Sequence, residues 1–340
     1  MNRSGLVVIS LLIALSCLFF SCVCVANAET IELKFAHAFS PKHTLQVKVF
    51  EPWAKKISKL TNGKVKVTFY PGGALGKAPD LYGLAEKGIA DIIYTLHDYT
   101  PGRFPMTTVF ELPFMITSAT QASNAMWKTY EKFPAFRKEY SKVKVLGLFA
   151  HPPGLFHTVK KPIKRIDDLK GMKMRTASPS VTKALKIFGA TPVAIPVTET
   201  YTALERGVVD GTVVPWEGVV VFKLDDLLKY STPTNFYTMT MMVVMNKKKW
   251  NSLPDDVKKV IDENSGLAMS LACGKTFDKV EQPMKKRCLD KGMKVVELPP
   301  NDIKKLKALT EPLRTEWVKD MKAKGLPGKE VLDGALQFLK

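Results

Sequence analysis

Lys173-Met174-Arg175-Thr176-Ala177-Ser178-Pro179-Ser180-Val181 is the stretch that decides the fold. Lys173-Met174-Arg175 closes a short strand after Asp168-Leu169-Lys170-Gly171. Ser178 and Pro179 then open a helix, because a serine hydroxyl at the N-cap accepts a free backbone N–H and a proline at the first helical position forfeits no hydrogen bond. Val181, Ala184, Leu185 and Phe188 fall at i, i+3, i+4 and i+7 on one face, and Gly189 ends the helix. Residues 193–195 read as the next strand, Thr198 as the cap of a helix that stops before Gly207, and 208–214 as a closing strand. The order is β-α-β-α-β, an α/β sheet with crossover helices.

The chain before this unit repeats the alternation. Residues 31–35 alternate apolar and polar as a strand and run into a loop at His37-Ala38-Phe39-Ser40-Pro41. A helix is expected over 44–60, with Leu45, Val49, Trp53 and Ile57 on its buried side. Residues 64–70 and 89–95 give two more strands around a helix at 78–87 that stops at Gly88. After the central unit, 238–245 is a continuous apolar run, the mark of a strand buried on both faces. A helix opens at Leu253-Pro254-Asp255-Asp256 and is expected to run past Cys273 toward Pro283. A late strand at 294–298 and terminal helices from Asn301 complete the reading.

Residues 1–28 read as an export signal. Arg3 precedes an apolar run from Leu6 to Val25, and Ala26-Asn27-Ala28 has the small-x-small form at which such signals are cut. The run is also long enough to span a bilayer, but the polar start at Glu29 favours cleavage. Cys17, Cys22 and Cys24 fall inside the signal, where the preceding residues make a poor lipid-attachment site. The remaining Cys273 and Cys288 lie 15 residues apart in helical sequence, too far to bridge on a straight helix; a bend at Pro283 leaves a disulfide open.

The composition, 46% hydrophobic and 24% charged, is that of a globular protein, and the chain beyond the signal is long enough for two domains of about 150 residues. The formal net charge of +19 sets up a field that draws anions, while the lysine runs 247–249 and 285–287 read as solvated faces. No basic-aromatic repeat points to nucleic acid, least of all in an exported chain.

Several chemistries are excluded or unsupported. Gly-Gly-Ala-Leu-Gly-Lys-Ala at 72–78 resembles a phosphate loop, but Pro71 stands where its first glycine belongs and Ala78 where the metal-binding hydroxyl belongs. The five histidines, His37, His43, His97, His151 and His157, form no metal-binding pair, and no cofactor motif or hydrolase elbow occurs. Arg175 stands apart. It ends a parallel-type strand just before a helix N-cap, where open α/β sheets place their ligand crevices, and its planar fork matches both oxygens of a carboxylate.

Four further blocks carry a family resemblance. They are the 66–76 region ending in Pro-Gly-Gly-Ala-Leu-Gly, Glu111-Leu112-Pro113-Phe114, the run Asp167 to Arg175, and Gly189-Ala190-Thr191-Pro192 leading through Thr200–Gly211 to Pro215. In this order they resemble the DctP-type solute-binding proteins of TRAP (tripartite ATP-independent periplasmic) transporters, over nearly the whole exported chain. The resemblance implies a non-enzymatic periplasmic protein with a two-lobe α/β fold, its lobes joined by crossing strands and one long helix. Residues 29–152 with about 237–275 would form lobe I, and 153–236 with about 276–340 lobe II. A ligand is held in the cleft, closure signals to the membrane permease, and Arg175 takes the place of the arginine that grips a substrate carboxylate.

The departures narrow the ligand. Many sialic-acid and C4-dicarboxylate members carry a second arginine where this chain has Phe156 and His157, and Glu-Asn where it has Val213-Val214 before Pro215. Apolar walls in place of polar grips leave a second carboxylate unpaired. The expected ligand is an organic monocarboxylate with an aromatic or otherwise apolar body, stacked on Trp216, Phe156 or Tyr237 beside Val214 and Asn235. From the first lobe His37, Phe39, Tyr94, His97 and Tyr99 follow strand ends and are candidates to line the cleft. Two alternatives stand beside this reading: a small 2-oxo or hydroxy acid or C4-dicarboxylate, and a secreted enzyme working through His97 and Asp98.

Overall fold

The computed structural model describes residues 30–176 and 178–340, so the expected signal and its cleavage point lie outside the described residues. The α/β alternation builds two sheets. The first contains β1 (Ile31–His37), β2 (Val65–Tyr70), β3 (Ile92–Leu96), β4 (Val143–Ala150) and β10 (Thr240–Asn246), in the order β2-β1-β3-β10-β4. The second contains β5 (Gly154–Thr158), β6 (Lys173–Thr176), β7 (Thr191–Ala194), β8 (Gly211–Val214), β9 (Tyr230–Tyr237) and β11 (Lys294–Val295), in the order β11-β9-β5-β8-β6-β7.

Both sheets are mixed. β1 runs parallel to β2 and β3, but β10 enters antiparallel between β3 and β4. β10 is buried along its whole length, with Met241, Val243 and Met245 in one apolar cluster and Met242 and Val244 in another. That two-sided burial is why its sequence does not alternate. In the second sheet β6 is parallel to β7 and β8, whereas β5 is antiparallel to β8 and β9.

Two strand pairs cross between the sheets. β4 passes into β5 through 151–153 and β9 into β10 through 238–239. The crossings are tied together: His151 Nε2 accepts the Met239 N–H at 3.1 Å, and the Thr238 hydroxyl donates to the His151 carbonyl.

The helix Leu267–Asp290 is the third connection. Its Asp278 carboxylate accepts the backbone N–H groups of Ala119 and Thr120, each at 2.8 Å, at the start of the helix Ala119–Lys132. One turn on, Glu281 accepts those of Trp216 (3.1 Å) and Glu217 (2.8 Å) at the start of the helix Trp216–Val221. Free N–H groups and the positive end of a helix dipole favour a carboxylate at such a place. One helix thus fastens a helix from each side of the molecule.

The structure corrects several expectations. The helix expected from 253 toward 283 is broken into Asp255–Glu263 and Leu267–Asp290. Gly266 makes the break with φ 64° and ψ −127°, and a Cβ there would lie 2.8 Å from the Trp127 ring. Pro283 sits inside the second helix, and Cys273 and Cys288, both on it, are free and buried. Thr198 caps nothing; it lies within a 3-10 turn, Val197–Glu199, that precedes the helix Thr200–Glu205. Trp317, Met321, Val331 and Ala335 of the last two helices pack in one apolar cluster with Met126 and Phe110 of the first-sheet side.

Candidate ligand-binding cavity

Three strands of the second sheet end at one place. β6 and β8 are parallel with Arg175 opposite Thr212, and β6 and β7 with Arg175 opposite Val193. Their C-terminal ends therefore deliver Arg175, Val197 and the turn Val214-Pro215 to a common crevice, where an open α/β sheet places ligands. Phe39, Tyr94 and Leu96 of the first-sheet side face them, and the crossing residues His151 and Met239 close the gap. The resulting cavity holds about 450 Å³ between its walls, its mouth included.

Arg175 is the decisive wall residue. Its side chain is buried, 1% exposed, yet forms no ion pair among the described residues. Nε donates to the Ile195 carbonyl at 2.9 Å, which fixes the plane of the guanidinium, while Nη2 is buried without a partner. Burial pulls its pKa down from the ordinary arginine value, and the hydroxyls of Tyr99 and Tyr237 pull it back up. Among the described residues, the other ionisable cation-formers on the wall are His43 and His151. Burial holds them neutral, with pKa values lowered to about 3 and about 4; the charges of His37 and Arg175 respectively push the same way. An unpaired buried guanidinium is costly unless an anion arrives, and an incoming carboxylate meets no competing partner.

The rest of the cavity is apolar and aromatic. Phe39 lies 5.0 Å from Tyr94 and 6.1 Å from Phe222, ring centre to ring centre, with Met241 and Phe277 behind them. Tyr237 occupies its place because residue 154 is glycine: a Cβ there would lie 2.0 Å from the Tyr237 ring. The Tyr237 hydroxyl donates to the Val213 carbonyl, so the ring is held edge and tip.

The expected site residues divide sharply. Arg175, Phe39, Tyr94, Val214 and Tyr237 line the cavity. Tyr99 stands just behind it, its hydroxyl accepting the Val197 N–H at 3.3 Å. Phe156 does not reach it; the ring is stacked on Phe236 at 4.9 Å inside the second-sheet core. His157 bonds the Val214 carbonyl through Nε2 at 3.1 Å and packs edge-on to Trp216 at 5.2 Å. Trp216 is buried but faces a separate groove at the crossing segments, where Asn235 also lies with φ 51°. His37 is turned into the first-sheet core, bonded to the Gln46 side chain.

The His97–Asp98 pair of the alternative enzyme reading is not formed among the described residues. His97 Nε2 bonds the Tyr140 hydroxyl at 2.7 Å, and Asp98 lies against Glu111 instead. Both carboxyls are pushed up, first by burial and, for Asp98, next by the charge of Glu111. Glu111 Oε1 accepts the Thr240 N–H (3.1 Å) and hydroxyl (2.7 Å), and Oε2 accepts the Ser178 hydroxyl at 3.2 Å. The Glu111-Leu112-Pro113-Phe114 block thereby meets the helix cap three residues after Arg175.

Sequence reasoning missed His43, His151, Met239 and Glu217. In the Trp216–Val221 helix, successive residues turn by about 100°, so Trp216 facing the crossing groove sends Glu217 toward the cavity. The phase relation is local, but which of the two residues faces the cavity is set by the packing of the helix start against Glu281.

Residues 35–320 match the family of bacterial extracellular solute-binding proteins, family 7, DctP. Among solved structures, a TRAP solute-binding protein from a marine metagenome, specific for aromatic acid ligands and bound to 3-hydroxybenzoate, is 39% identical. It covers 91% of this chain and 98% of its own with a TM-score of 0.87. A TRAP protein from Rhodoferax ferrireducens, in complex with copurified benzoate, is 35% identical with the same coverage and TM-score. One from Bordetella bronchiseptica with bound (R)- and (S)-mandelate is 30% identical, with coverage of 91% and 98% and a TM-score of 0.86. Among curated relatives, the outer membrane transporter protein TsaT of Comamonas testosteroni is 31% identical over 91% of each chain.

Proposed function

The chain belongs to the DctP family of extracellular solute-binding proteins, and from that premise we propose that it captures an aromatic monocarboxylate with Arg175 as the carboxylate grip. It is a TRAP solute-binding protein, of a family that binds its ligands outside the cytoplasm and does not transform them. The observation that carries the ligand reading is the buried, partnerless Nη2 of Arg175 on the wall of an aromatic cavity. A carboxylate set there accepts a charge-assisted hydrogen bond, and its ring lies among Phe39, Tyr94 and Phe222. Three relatives in complex with 3-hydroxybenzoate, benzoate and mandelate support the same class.

A C4-dicarboxylate fits less well. Among the described residues of the wall Arg175 is the one cation, and a second carboxylate would meet Glu217 or apolar side chains. Delivery to a membrane permease after lobe closure, and export with cleavage after Ala28, complete the proposal. Calorimetric titration with benzoate, mandelate and succinate tests it. Binding of the aromatic acids at least about a hundredfold tighter than succinate is expected, since an unpaired buried carboxylate costs several kcal/mol. Preference for succinate would contradict the reading.

A further inference from the structure

The cavity has a second polar end. Glu217, 4% exposed, lines it, and its Oε1 is buried with no hydrogen-bond partner. Its backbone N–H is held by Glu281, so the residue cannot drift away from the wall. His43 lines the same cavity from the opposite side of the cleft, stacked on Phe39 at 4.8 Å. His43 Nδ1 accepts the Leu45 N–H at 3.2 Å, which places the ring proton on Nε2 and makes that atom a donor.

This end is distinct from the arginine end. Arg175 stands on β6 and is anchored through Nε on Ile195, whereas Glu217 stands in the first turn of the helix Trp216–Val221 and is anchored on Glu281. Burial raises the Glu217 pKa to about 7, with the Thr44 hydroxyl pulling the other way. The group therefore serves as acceptor or donor near neutral pH. His37 is the further titratable group facing His43.

We propose that Glu217 and His43 together receive a hydroxyl group carried by the ligand at the end away from its carboxylate, which makes ring-hydroxylated aromatic acids the preferred class. This rests on the reading of Arg175 as the carboxylate grip. A phenolic hydroxyl donates one hydrogen bond and accepts others, so it matches an acceptor oxygen and an N–H donor on facing walls. An unsubstituted ring leaves Glu217 Oε1 dry and unpaired, and a site with a buried polar group of this kind discriminates strongly against the analogue that cannot satisfy it. A ring amine gives Glu217 a donor but offers His43 a poorer acceptor, and a second carboxylate faces a like group.

The test is calorimetric titration of the exported chain with benzoate, 3- and 4-hydroxybenzoate, 3-hydroxyphenylacetate and 3-aminobenzoate. At least one hydroxylated acid should bind more than about tenfold tighter than benzoate, and Glu217→Leu should collapse that ratio to about twofold or less. Glu217→Gln, which keeps an acceptor oxygen and the shape, should retain part of the ratio; His43→Phe should lower it independently should the leucine variant fail to fold. A wild-type protein that binds benzoate as tightly as every hydroxylated acid overturns this inference while leaving the arginine grip standing. An unchanged ratio in folded Glu217→Leu overturns it equally. Binding of none of the aromatic acids overturns the grip and this inference with it.

Discussion

Arg175 and Glu111 are both buried ionisable groups at the seam between the two sheets, and they are used in opposite ways. Arg175 reaches the end of β6 with one nitrogen bonded to Ile195 and another bonded to nothing. Glu111 arrives from the other side with both oxygens engaged, by Thr240 and by the Ser178 hydroxyl only three residues from Arg175. A buried polar group whose bonds are complete contributes to holding the fold and closing the seam. A buried group left incomplete is a cost to the empty protein that a ligand removes. On the proposed function, that difference is what singles out Arg175 as the group facing the ligand.

Substitutions sharpen the contrast. Arg175→Met should weaken aromatic-acid binding by more than about a thousandfold, with thermal stability of the unliganded chain unchanged or raised, because an unpaired buried charge is replaced by apolar volume. Loss of stability together with binding would make Arg175 structural. Glu217 offers a sharper use of pH. Its folded pKa of about 7 lies above the usual carboxylate value, so the folded state holds a proton that the unfolded state has released. Its contribution to stability therefore falls as pH rises from about 4.5 to 7 and is level above that, by roughly 3 kcal/mol in all for a shift of this size. Glu217→Gln should become progressively more stable than the parent across that window in denaturant melts; a constant difference would show that the carboxyl is not held protonated.

Glu111→Ala should behave in the reverse sense to Arg175→Met. Leaving the Thr240 N–H and the Ser178 hydroxyl without an acceptor should lower unfolding stability by about 2–3 kcal/mol, with a smaller loss in affinity. A variant as stable as the parent would erase the distinction between the two groups. Trp216→Phe is the smallest effect. Since Trp216 faces the crossing groove, the ratio of affinities for aromatic and short aliphatic acids should move by less than about twofold, within the few tenths of a kcal/mol expected of a residue outside the site. A large fall in that ratio would restore the stacking role that the sequence suggests.

The range of the interactions decides how much was legible in the chain. Ser178-Pro179 and Gly88 mark helix ends by local hydrogen-bond and backbone requirements, and both hold: Ser178 Oγ accepts the Val181 N–H, and Gly88 caps with φ 74°. The placement of Arg175 on the cavity wall was legible because a strand end followed by a helix cap is itself a local signal. The insertion of β10 between β3 and β4 was not, since nothing near residue 240 encodes its partners, from β4 at 143–150 and from β3 at 92–96, far earlier in the chain. The break at Gly266, by contrast, carries a local turn signal in Asn264-Ser265-Gly266, which the expectation of one continuous helix did not use. Glu217 was passed over for its neighbour because the choice depends on rotation about a six-residue helix whose orientation is set by Glu281 far along the chain.

The central claim is most directly tested by a crystal structure of the protein grown with an aromatic acid such as 3-hydroxybenzoate. The account predicts a carboxylate oxygen within about 3 Å of Arg175 Nη2 and the ring between Phe39 and Phe222. A carboxylate bound elsewhere, with Nη2 still lacking an acceptor, would contradict it.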